Sequence, residues 1–68
     1  MKPSETVRLL KKNAKLNSFW GLGIQLVIDN PTPENVSNLV DQLRDQDKDD
    51  PRAMKVILGD AYEKIIKP

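Results

Sequence analysis

Asp45, Asp47 and Asp49 are the residues of this chain whose type and spacing come nearest to a chemical site. Carboxylates at every second position supply hard oxygen ligands, and these three match positions 1, 3 and 5 of the calcium-binding loop of an EF-hand. The match ends there. The tight turn that wants glycine falls on Asp50, and the closing bidentate glutamate falls on Val56. Pro51 also signals a helix start inside the span such a loop would need. The run Asp45–Asp50 therefore reads as a polar loop between two helices.

Nucleophilic chemistry has even less to stand on. Ser4 and Ser18 read as helix caps and Ser37 as part of a polar helix face, and the chain has no His to activate any of them. It has no Cys either, which excludes disulfides and thiolate metal sites. Gly21-Leu22-Gly23 lacks the following Lys and Ser/Thr of a phosphate-cradling loop. No enzyme activity, cofactor or metal is expected.

Binding is better supplied. Arg8, Lys11, Lys12 and Lys15 recur on one side of a helical segment, where they could meet phosphates, with Asn13 and Asn17 as added hydrogen-bonding groups. The competing reading is a solvated helix face, with cations favoured near a helix C-terminus. A helix-turn-helix reading is weakened by the acidic 45–50 segment, which repels DNA. A ribbon-helix-helix reading is weakened because a strand over 22–28 would carry Gln25 as its only polar reader. The other binding candidate is Phe19-Trp20 with Leu22, since aromatic residues are enriched at interface hot spots.

These residues lie around the densest apolar stretch of the chain, 18–29. As a helix, it places Trp20, Ile24, Val27 and Ile28 on one side and Phe19, Leu22 and Leu26 on the adjoining one, with a narrow wedge of Gly21, Gln25 and Asp29. That is the pattern of a central, nearly buried helix. Residues 22–28 also alternate as a strand would, but no other segment offers a partner strand, so that alternative implies an intermolecular sheet. Helix is the adopted reading.

The rest of the chain is organised by start and stop signals. Pro3-Ser4-Glu5 opens a first helix over about 5–15, with Val7, Leu10 and Ala14 on its inner face. Thr32-Pro33 and Asp50-Pro51 pair an N-cap with a proline at the first helical position. They open helices over about 33–45 and 51–66, the first carrying Val36, Leu39, Val40 and Leu43, the second Met54, Ile57, Leu58, Ala61, Tyr62 and Ile65.

Sixty-eight residues make one thin domain, of a size whose single core supplies only about 3–5 kcal/mol. Charge is segregated along it. Residues 1–28 carry five bases against Glu5, residues 29–50 seven acids against two bases, and residues 51–68 four bases against two acids, for a net +1. The start of the chain lacks the apolar core of a signal peptide, and no run approaches the ~20 apolar residues of a membrane span, so a cytoplasmic protein with no membrane contact is expected. The sequence thus predicts an all-α, small four-helix bundle-like domain with a central apolar helix. Its expected function is non-enzymatic protein binding, as an adaptor, inhibitor or assembly subunit. Phe19, Trp20 and Leu22 would contact another protein or a second copy. A small nucleic-acid-binding accessory protein using Arg8, Lys11, Lys12 and Lys15 is the alternative.

Overall fold

Both cap-then-proline signals become helix starts in the computed structural model, which describes residues 2–68. Thr32 accepts a hydrogen bond from the Asn35 backbone N–H at 3.1 Å, and Asp50 accepts one from Ala53 at 3.1 Å. Each bond satisfies one of the donors that a helix start leaves without an intrahelical partner. The elements are α1 (Pro3–Asn13), α2 (Gly21–Asp29), α3 (Pro33–Asp49), α4 (Pro51–Leu58) and α5 (Tyr62–Ile66), with a single 3-10 turn over Gly59–Ala61. The fold class is all-α, and 22–28, the segment that could alternate as a strand, lies within the helix α2.

All four expected helices differ in extent from the sequence reading, each for a physical reason. The first helix begins at Pro3, not near residue 5: Pro3 occupies the first turn and Lys2 the cap position, so Ser4 is not an N-cap. It ends at Asn13 because Ala14 turns extended and the Lys15 N–H leaves the helix to donate to the Ile57 carbonyl at 2.8 Å.

The second helix begins at Gly21, not Ser18. The Ser18 hydroxyl donates backwards to the Lys15 carbonyl at 2.6 Å and closes a turn instead of capping a helix. Gly21 then sits against the backbone of Leu16, so closely that a Cβ would fall 1.7 Å from the Leu16 carbonyl oxygen. Only glycine fits where the chain doubles back on itself.

The acidic run is not a loop. α3 continues through it to Asp49, and Asp50 serves both as its C-cap and as the N-cap of α4. Asp47 accepts a 2.6 Å hydrogen bond from the Tyr62 hydroxyl, and Lys48 lies 3.7 Å from Asp45 one turn away. These contacts anchor the last turn of α3.

The fourth helix is interrupted. Gly59 has φ 55° and ψ −132°, which ends α4, and the 3-10 turn redirects the chain into α5. Arg44 donates from both Nε and Nη2 to the Ile65 carbonyl, at 3.1 and 3.0 Å, so a side chain of α3 satisfies a carbonyl at the end of α5.

α3, the longest helix, packs against α1, α2, α4 and α5. The core it gathers includes Leu10, Ile24, Leu43, Met54, Leu58 and Ile65, all fully buried. α2 lies between α1 and α3 and contributes Ile24 and Val27 to that core, while its other side stays open.

Candidate functional site

The open side of α2 is where the chain's unexplained apolar surface collects. Leu22 is 76% exposed and Leu26 62%, one turn apart on α2, and Phe19, in the turn that leads into the helix, is 94% exposed. Leu16, 40% exposed, lies beside the helix start, where its carbonyl faces Gly21. Gly23 extends the same surface, and a Cβ placed on it would meet nothing within 4 Å. Phe19 and Trp20 are in edge-to-face orientation, with ring centroids 6.5 Å apart, but only Trp20 reaches back to pack against the core.

The division of α2 into two sides follows the sequence pattern. Ile24 and Val27 are buried, and Trp20 and Ile28 are partly buried, whereas Phe19, Leu22 and Leu26 face out. Of the three residues expected to contact a partner, Phe19 and Leu22 stand in solvent and Trp20 is mainly a packing residue. Leu26 and Leu16 complete the surface. Leu26 shares the Phe19/Leu22 stripe in the sequence. What the sequence lacks is a polar face opposite it, so nothing local decides which apolar side of α2 turns to the core.

Beside the stripe runs a shallow groove of about 420 Å³ between α2 and α3. Its floor includes Gly23, Leu26, Val27 and Leu39, and its polar rim is made of the side-chain amides of Asn30, Asn35, Asn38 and Gln42. Asn35 holds the rim together by donating to the Asn30 carbonyl at 2.9 Å. No charged residue lines this groove.

The basic candidates lie elsewhere. Arg8, Lys11 and Lys12 are exposed on the outer face of α1, and Lys15 falls beyond the end of that helix. Lys11 and Lys12 occupy the last turn, where they complement the helix dipole. Among the described residues the single ion pair is Lys48 with Asp45, so none of these four bases has a carboxylate within 4 Å.

The three aspartates do not form a calcium loop. They sit within little more than one turn at the end of α3, residues two apart on a helix point to different sides, and Asp47 is committed to Tyr62. That bond, helped by burial and by the charges of Asp47 and Glu63, pushes the Tyr62 phenol up from 10.0 to about 12. The Lys55 ammonium lies over the same ring, 5.7 Å from its centroid. This cluster ties α3 to α4 and α5. A second hollow, of about 210 Å³, lies where Pro3 and Thr6 of α1 meet Pro33, Val40 and Asp41 of α3.

No helix among the described residues is long and apolar enough to cross a membrane. Compared with known protein families, characterised proteins and solved structures, the chain matches none.

Proposed function

We propose that this chain is a small protein-binding domain that engages its partner through the apolar stripe of α2. The observation that carries the reading is the joint exposure of Leu22 and Leu26 on one side of α2 and of Phe19 in the turn just before it. This exposure is not the mark of an open, half-packed fold. The radius of gyration is 10.4 Å, against about 11 Å expected for a folded chain of this length, and the interior core is complete without these side chains. An apolar patch built from several neighbouring exposed side chains is a recognised kind of interaction site. Removing it from water stabilises a complex by about 25 cal/mol per Å² before the costs of association. Its fitting role is an adaptor, inhibitor or assembly subunit, acting by contact and not by catalysis.

The second reading, phosphate contact through Arg8, Lys11, Lys12 and Lys15, is favoured by the exposure of all four and by their lack of acidic partners. One experiment separates the two. The tagged chain is used to capture partners from a lysate with and without nuclease, in three forms: wild type, Leu22→Ser with Leu26→Ser, and Lys11→Glu with Lys12→Glu. Captured proteins are identified by mass spectrometry and the complex is rebuilt from purified components. We expect a protein, a second copy of the chain included, that survives nuclease and the lysine pair but is lost with the leucine pair at unchanged helix content. Capture that instead depends on nucleic acid, together with salt-sensitive binding abolished by the lysine pair, overturns the protein-binding reading in favour of the nucleic-acid one.

A further inference from the structure

We propose that the occupant of the open α2 face is a second copy of this chain, docked with the two α2 helices antiparallel across a twofold axis that passes beside Leu22 and Gly23. The inference rests on the protein-binding reading and names its partner.

A twofold interface sets one patch against itself, so any net charge in it meets its own sign. This patch carries none until Asp29, which follows Leu26 by three residues and stands at the edge of the same side. Leu16–Ile28 contains no Asp, Glu, Lys or Arg, although charged residues make up 31% of the chain. The adjoining groove is rimmed by side-chain amides alone. An amide is both donor and acceptor, so it is one of the few polar groups that pairs with an identical copy of itself. A surface shaped for a charged partner would show a charged rim instead.

The ends of the segment choose the direction. Lys15 precedes it and Asp29 closes it, both exposed, and Lys15 stands at the N-terminal end of α2 because the next residue, Leu16, abuts Gly21. An antiparallel pair brings each Lys15 toward the partner's Asp29. A parallel pair sets lysine on lysine and aspartate on aspartate. The antiparallel arrangement also opposes the two helix dipoles.

Gly23 marks the crossing point. Glycine weakens a helix, and at this position no close neighbour requires one. It lies midway along the stripe between Phe19 and Leu26, where two crossing helices approach most closely and a missing side chain admits the partner's. The register that follows sets Phe19 of each copy against the partner's Leu26, with Leu22 near the axis. A stripe of a few side chains per copy makes a small interface, so the dimer is expected to be weak and to depend on concentration.

The test uses purified full chain. Sedimentation equilibrium from micromolar to millimolar concentration should show a monomer–dimer equilibrium. Leu26→Lys should abolish it with the circular dichroism spectrum unchanged. Because the chain has no native cysteine, single introduced thiols report the register. Under oxidation Leu22→Cys should link to itself, and Phe19→Cys should link to Leu26→Cys in a mixture in preference to either alone. A wild type that stays monomeric throughout overturns the proposal, and so does a dimer in which Phe19→Cys links only to itself. If the purified chain is monomeric while a different protein is captured from lysate and lost with Leu22→Ser and Leu26→Ser, the second copy is rejected and the protein-binding reading stands. If neither association is found, both are rejected.

Discussion

Trp20 packs against the core while Phe19, next to it, stands almost wholly in solvent. Of two adjacent aromatic residues, one therefore packs inward and the other is left exposed. Trp20→Ala should cost about 2 kcal/mol, below the 3–5 kcal/mol of a fully buried aromatic because part of the indole is already wet. Phe19→Ala should change stability by no more than about 0.5 kcal/mol. Urea unfolding checks both, followed by far-ultraviolet circular dichroism, which does not depend on the indole. Tyr62 makes a different statement at the same scale. Its phenol ionises at about 12 in the folded chain against 10.0 for an unperturbed tyrosine, chiefly because Asp47 accepts its hydrogen bond. The folded state thus favours the neutral phenol. The stabilisation from this group is present in full below pH 10 and is lost as pH rises through about 12. Alkaline titration of tyrosinate absorbance in the chain, which has one tyrosine, should show this raised midpoint. Asp47→Asn should bring it back toward 10.0.

At the scale of elements, three glycines act in three ways. Gly21 lets α2 start against the Leu16 backbone, so Gly21→Ala forces the 16–21 turn apart and should cost several kcal/mol in a chain with about 3–5 to lose. Gly59 holds a positive φ that side chains rarely adopt, and Gly59→Ala should cost about 1–3 kcal/mol by straining the α4–α5 junction. Gly23 has open space around it, and Gly23→Ala should add about 0.5–1 kcal/mol to the monomer by favouring the helix. Thermal unfolding of the three variants at low micromolar concentration gives the order directly. A stabilised Gly21→Ala would show that the tight Leu16 contact is not what fixes the start of α2.

Across the whole molecule, stability hangs on α3. Leu43 is fully buried on the helix that touches every other one, so Leu43→Ala, at about 2–5 kcal/mol, should remove most of the helical signal at room temperature. The proposed association through α2 would add to that small reserve by mass action. The melting temperature of the wild type should rise with protein concentration, and that of Leu26→Lys should not.

Interactions that span a single turn could be read from the chain itself. Thr32 and Asp50 cap the residues three positions on, Pro33 and Pro51 follow them, and the inner faces of α3 and α4 repeat with the helical period. Each of these is complete within four residues, so the sequence alone determined an all-α fold, two helix starts and the composition of the core outside α2. Tertiary contacts decided the rest. The acidic run Asp45–Asp49 looks like a loop until Tyr62, fifteen residues from Asp47, is brought against it. α1 stops where Lys15 meets Ile57, and α2 starts where Gly21 meets Leu16. Phe19, Trp20 and Leu22 could be named as binding candidates from their type. That Leu26 is exposed with Phe19 and Leu22, while Trp20 packs inward, depends on which side of an almost uniformly apolar helix α1 and α3 cover, and burial is a property of the packed chain that no local pattern within α2 encodes.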